Sequence, residues 1–126
     1  MATAEGGKRS RVGIGNYGEQ VATDWLRAQG CKILARNFRG PHRGEVDIIA
    51  RDQRLLLFVE VKTRSVGAKI RGLDAVGKSK QELIERGANA WLKLLGTRNL
   101  PWRFDVIEVE VEDGQKPRVN HVKDAF

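Results

Sequence analysis

Five consecutive apolar residues, Leu55-Leu56-Leu57-Phe58-Val59, run directly into Glu60-Val61-Lys62. A run of this length between Arg54 and Glu60 is too short for a helix and reads as a strand. Because it is apolar on both faces, both faces must be covered, which puts it at the centre of a sheet flanked by helices. The class is α/β, and Glu60 and Lys62 are the first polar side chains to emerge from this central strand.

The remaining pattern supplies the neighbours. Tyr17, Val21, Ala22, Trp25 and Leu26 recur at helical spacing within 15–29, and Gly30 stops that helix. Glu19 falls beside Ala22 and Leu26 at the margin of the apolar face, where a carboxylate can look into a cleft. Residues 31–39 read as a strand, 40–44 as a turn, and 45–51 and 55–63 as two strands joined at Asp52-Gln53. Residues 64–78 form a glycine-rich cationic loop, 79–95 a second helix ended by Gly96, and 102–111 a further strand. Residues 118–122 are either a short edge strand or a tail. The order is αβββαβ in one domain, 14–126, preceded by a flexible basic arm, 1–13. Cys31, the only cysteine, can form no internal disulfide and reads as a small core hydrophobe. No apolar stretch is long enough to cross a membrane and the first residues do not resemble a signal peptide, so a cytoplasmic protein is expected.

Side chains alternate along a strand, so Glu45 and Asp47 share one face of theirs, and Glu60 and Lys62 share one face of the next. If Arg51 and Arg54 close the hairpin, Glu45 lies across from Glu60 and Asp47 across from Phe58, with Asp47 diagonal to Glu60 on the same face. Three carboxylates crowded beside one ammonium repel unless something neutralises them, and a hard divalent cation does this. Magnesium suits the set, with manganese as a substitute. The plainer alternative is a salt-bridged strand pair in which Lys62 compensates Glu60.

The formal net charge is +7, with a sequence pI near 10.0, and the excess is uneven. Residues 1–71 hold 14 Lys and Arg against 7 Asp and Glu, whereas 72–126 hold 9 of each. A basic surface around an acidic motif attracts polyanions, and nucleic acid is the expected partner. Arg39, Arg43, Arg64, Lys69, Arg71, Lys78 and Lys80 are the candidate phosphate contacts, while His42 serves equally well as a turn residue. A solvated basic face is the alternative for each. Trp25 and Trp91 lie on apolar helical faces and read as core.

Asp47 on one strand followed by Glu60-Val61-Lys62 on the next resembles the PD-(D/E)XK nuclease motif, with Val46 where the literal motif has Pro. GNYGEQVATDWL, GEVDIIARD, FVEVKTR and RFDVIEV together resemble the bacterial YraN family of restriction-endonuclease-like proteins. That family is similar in turn to archaeal Holliday-junction resolvases. The resemblance implies a restriction-endonuclease-like αβββαβ core and a metal-dependent endonuclease, a hydrolase of phosphodiester bonds acting on structured or branched DNA. By it, Glu19, Asp47, Glu60 and Lys62 are catalytic, and Asp47, Glu60 and the Val61 backbone carbonyl are the metal ligands; Glu45 belongs to the YraN pattern and is a further candidate ligand, a role that does not follow from the nuclease motif. It also implies a homodimer. The alternative is a nucleic-acid-binding protein that keeps the fold without catalysis.

Overall fold

The computed structural model describes residues 11–66 and 77–126. The segment 1–10, Lys69 and Arg71 lie outside the described residues. Helix α1 (Arg11–Ala28) is followed by strands β1 (Lys32–Arg39), β2 (Glu45–Asp52) and β3 (Leu55–Ser65), helix α2 (Lys78–Leu95), and strands β4 (Trp102–Val111) and β5 (Arg118–Val122). This follows the expected order, and residues 118–122 are a strand rather than a tail. Helix α1 starts at Arg11, inside the segment read as an arm.

Both helices end on glycine for the same physical reason. Gly30 adopts φ 92° and Gly96 φ 83°, left-handed conformations that cost a glycine nothing. After α1, the amides of Gly30 and Cys31 donate to the carbonyls of Arg27 and Leu26, which satisfies acceptors the helix itself leaves open. After α2, the Gly96 amide donates to the Leu92 carbonyl.

The five strands form one sheet in the order β1-β2-β3-β4-β5. Strands β3 and β4 run parallel, joined through α2, and the other neighbours are antiparallel. The apolar run therefore occupies the third of five strands, as a strand buried on both faces must. On one face Ala22 and Leu26 of α1 pack with Ile48, Ala50, Leu57, Val59, Ile107 and Val109. On the other, Ile84, Ala88 and Leu92 of α2 pack with Val46, Ile49, Leu56 and Phe58. Among the described residues no helix is long and apolar enough to cross a membrane.

Two expectations about the β2–β3 hairpin are corrected. The paired residues run from Asp52–Leu55 to Ile48–Val59, so Gln53-Arg54 forms the turn instead of Asp52-Gln53. Gln53 takes φ 55° there, as the first position of a tight hairpin turn requires. Continued one step past Ile48–Val59, this register sets Asp47 against Glu60 directly, not diagonally, and removes Glu45 from opposite Glu60. Strict alternation also fails at Asp47, because Val46 and Ile48 pack into opposite layers. Glu45 and Asp47 therefore do not simply share a face.

Helix α2 is held close to β2 by a glycine contact. A Cβ on Gly87 would lie 2.9 Å from both the amide nitrogen and the carbonyl carbon of Glu45, and one on Gly44 would lie 2.7 Å from the Gly87 amide. Backbone cannot step aside as a side-chain tip can. Gly87→Ala should destabilise the fold by about 1–3 kcal/mol through overpacking, even though alanine favours helix by about 1 kcal/mol. Urea unfolding of the two proteins measures the difference, and a more stable variant would refute the close-approach account.

Candidate functional site

The site forms where the β2–β3 ladder stops. Beyond Ile48–Val59 the next amide on β3, that of Val61, donates to Asp47 Oδ2 at 2.8 Å, so a side-chain carboxylate replaces a backbone acceptor. Asp47 is thereby fixed between the strands, beside Glu60. Glu60 ends the apolar run and inherits its burial, being only 4% exposed. Its Oε2 lies 3.6 Å from Lys62 Nζ and 3.7 Å from Lys80 Nζ, and its Oε1 is buried with no hydrogen-bond partner.

This setting shifts the carboxyl. Burial and then the neighbouring Asp47 push Glu60 up to about 7, against the opposing pull of Lys80 and Lys62. A buried carboxyl beside a second carboxylate is costly to charge, so Glu60 holds a proton or attracts a cation.

Lys80, in the first turn of α2, joins the two strands from the helix side. Its ammonium contacts Glu45 Oε1 as well as approaching Glu60 Oε2. Burial alone would lower Lys80, but the Glu45 hydrogen bond and the charges of Glu60, Glu45 and Asp47 outweigh it and hold the group above its ordinary value. Glu45 is held low, first by the Lys80 hydrogen bond, against its own burial, and further by Arg39. Arg39 Nη1 reaches Glu45 Oε2 at 2.6 Å. Both Glu45 oxygens are therefore engaged by cations, whereas Glu60 Oε1 has no partner.

Glu19 arrives from the opposite layer. Its Oε1 accepts from Asn37 Nδ2 at 2.9 Å and from Arg36 Nη2 and Nε at 3.2 and 3.3 Å. Asn37 has φ 53°, and this kink in β1 turns Arg36 and Asn37 toward α1 while Phe38 packs with the α2 layer. Glu19, Asp47, Val61 and Lys62 line one cleft of about 430 Å³. The cleft needs α1 tight against β3, where a Cβ on Gly18 would lie 1.9 Å from Thr63 Oγ1.

Among the described residues no three His, Cys, Asp or Glu side chains converge as a metal-holding group. A hard cation that keeps its waters needs fewer, one or two carboxylates being usual for magnesium. Asp47 and Glu60 provide two carboxylates, one with an unpartnered buried oxygen, and the Val61 carbonyl is the neighbouring backbone donor. These residues fit such an ion.

The basic residues expected to meet phosphates divide into two groups. Arg64 pairs with Glu110 at 2.8 Å and approaches Glu108, while Arg39 and Lys80 pair with Glu45. Arg43 and Lys78 are exposed, Arg43 in the turn at φ 65° and Lys78 at the start of α2.

One polar cluster was not anticipated. Asp105 of β4 is fully buried and accepts from Arg103 Nε at 2.7 Å, His121 Nε2 at 2.8 Å and the Asp124 amide at 3.0 Å. Trp25 Nε1 donates to His121 Nδ1 at 3.2 Å. The signal was in the sequence: Asp105 has the same parity as Ile107, Val109 and Val111, all core residues.

A family model described as an uncharacterised protein family, UPF0102, matches residues 18–109. A UPF0102 protein of Trichlorobacter lovleyi is 46% identical over 114 residues, covering 90% of this chain and 89% of that one. One from Geobacter sulfurreducens is 40% identical over 126 residues, covering 100% and 97%. One from Symbiobacterium thermophilum is 42% identical over 113 residues, covering 90% and 95%. The names of these relatives state no activity.

Proposed function

Because this chain belongs to the UPF0102 family, whose name carries no activity, its function has to be read from its site, and we propose that it is a divalent-metal-dependent endonuclease acting on structured or branched DNA. The reading takes the architecture as a restriction-endonuclease-like core, which the αβββαβ order and the carboxylates at the β2–β3 fork support. One observation carries it: Glu60 ends the central strand with Oε1 buried and unpartnered beside Asp47. Lys62 and Lys80 approach only Oε2 of that buried carboxyl, at 3.6 and 3.7 Å, which leaves Oε1 for a cation or a proton.

Asp47, Glu60 and the Val61 carbonyl would hold the ion. When bound, magnesium or manganese supplies a lowered pKa for a water molecule and charge stabilisation at the phosphoryl group. Lys62, 3.6 Å from Glu60 Oε2, balances charge on a phosphate brought to the cleft. Glu19 lines the same cleft as Asp47, held by Arg36 and Asn37, and its position there suits orienting a water or a hydroxyl of the substrate.

The alternative, a nucleic-acid-binding protein without catalysis, draws on the lack of a third converging acid among the described residues. A panel of duplex, flap, four-way junction and single-stranded DNA, incubated with magnesium or manganese, separates the two. Cleavage of at least one branched substrate is expected, lost on chelation and in both Asp47→Ala and Glu60→Ala. Salt-sensitive binding with no cleavage of any substrate would leave the non-catalytic reading standing.

A further inference from the structure

The ion pairs of this protein leave particular cations free, and their arrangement is informative. Arg36, Arg39, Arg64, Lys80, Arg103 and Arg118 are each bound to a carboxylate. On the flank of α2, by contrast, a groove of about 570 Å³ runs between that helix and the β1–β2 turn, lined by His42, Arg86, Asn89, Lys93, Thr97 and Arg98 among others. No acidic side chain lines it, and among the described residues none of its four basic side chains is ion-paired. Two of the cations are positioned by neutral groups. Arg86 Nη1 donates to the His42 carbonyl at 3.1 Å, and Arg98 Nη2 donates to Asn89 Oδ1 at 2.9 Å. A guanidinium oriented by neutral acceptors keeps its full charge for an outside anion.

We propose that this groove is a second phosphate-backbone site, which grips a duplex arm of the same nucleic acid whose cleavage is proposed at the Asp47–Glu60 fork. The proposal rests on that functional reading and specifies its substrate as one with a duplex segment beside the cut. Placement supports it. Along the axis of α2, Arg86 and Lys93 are displaced by about 9 and 20 Å from Lys80, which itself touches the carboxylates, and sit about a third of a turn round the helix from it. At about 3.4 Å of duplex axis per phosphate on each strand, that is about three to six phosphates away from the fork. No indole or phenyl lines the groove for base stacking; Trp102, 37% exposed, lies outside it with Arg98 over its ring at 5.2 Å. Backbone contacts without stacking suit paired strands rather than splayed bases.

The test uses the full chain with a labelled duplex and a labelled single strand, titrated by fluorescence anisotropy between about 50 and 200 mM salt. The variant Arg86→Gln/Lys93→Gln/Arg98→Gln is compared with a charge-matched control, Arg51→Gln/Arg54→Gln/Lys116→Gln, built on exposed residues outside the groove. The groove variant should bind duplex at least tenfold more weakly at the lowest salt. Its log K against log salt slope should flatten by about 2 to 3, since each phosphate contact contributes about 0.9. The control should change much less, and thermal unfolding should show both variants folded. Equal weakening by the two variants, or a groove variant that binds as the wild type does, would overturn the groove while leaving the nuclease reading intact. Wild-type protein that binds no duplex at any salt would also overturn the groove, while the nuclease reading falls only if no branched substrate is cleaved.

Discussion

Glu60→Gln is expected to make the metal-free protein more stable above pH 7 and at the same time unresponsive to manganese. The first effect follows from linkage. Glu60 is raised in the fold from an ordinary 4.5 to about 7, first by burial and then by Asp47, so the folded state holds a proton that the unfolded chain releases. Its contribution to stability is complete below about pH 4.5 and is lost as pH rises through 7. At about 1.4 kcal/mol per unit, the loss is on the order of 3 kcal/mol above that window. A glutamine has no proton to lose and should escape it, so the variant and wild type should differ little at pH 4.5 and diverge up to pH 8.

The second effect has the opposite sign. A cation that binds the folded state stabilises it by mass action, by about 2.7 kcal/mol at a hundred times its dissociation constant. At pH 8 manganese should raise the unfolding midpoint of the wild type, and much less at pH 4.5, where protons compete for the same carboxylates. The glutamine variant should show no such rise at either pH. Thermal or urea unfolding with and without manganese, at both pH values, measures both effects. A variant still stabilised by manganese would remove Glu60 from the ligand set, and a variant less stable than wild type at pH 8 would refute the buried-carboxylate account.

The site was legible in the sequence because the strand carrying it is unusual. Leu55 to Val59 can only be central, and whatever polar residues follow a central strand must emerge at the end of the sheet. The hairpin was less legible, since Asp52-Gln53 and Gln53-Arg54 are both acceptable two-residue turns, and backbone propensity does not choose between them. The choice changes paired positions by two, which preserves parity, so Asp47 still meets Glu60 and does so more directly. The break in alternation at Asp47 left no mark that periodicity could detect. It coincides with positive φ at Asn37 on the neighbouring strand, and asparagine tolerates that conformation without demanding it.

Charge was legible in amount but not in use. Arg39, Arg64 and Lys80 flank the motif in sequence, which made them natural phosphate contacts, yet each meets a carboxylate brought near by tertiary structure. Arg86, Lys93 and Arg98 lie in the half of the chain with no net charge and gave no signal there. Their acids are in the same segment of sequence, but none lines their groove. Net charge over a stretch of sequence therefore says little about local potential, which depends on which pairs the fold closes.

Asp105→Ala should be among the most damaging single substitutions outside the proposed site, costing about 3–5 kcal/mol. A fully buried carboxylate here accepts from Arg103, His121 and the Asp124 amide, which ties β4 to β5 and to the residues just beyond it. Trp25 can only donate through its indole nitrogen, so His121 Nδ1 must accept and Nε2 must carry the proton toward Asp105. Removing the carboxylate leaves His121 and the Asp124 amide as donors without their acceptor, and the loss is a large share of the roughly 5–15 kcal/mol typical of a domain. Asp105→Asn should cost less, because one oxygen remains, but its amide group turns a donor toward other donors. The acid limb gives a separate signature. Burial raises Asp105, but the His121, Arg103 and Asp124 hydrogen bonds outweigh it and bring the group from 3.8 down to about 2. Its contribution is therefore present above pH 3.8 and lost as pH falls through 2, roughly 2 kcal/mol that the asparagine variant should not lose. Urea unfolding at pH 7, 4 and 2.5 should show the wild type and the asparagine variant converging toward the acid end. Curves that stay parallel would mean the carboxylate is not held below its ordinary range, and an alanine variant as stable as wild type would show the network to be dispensable.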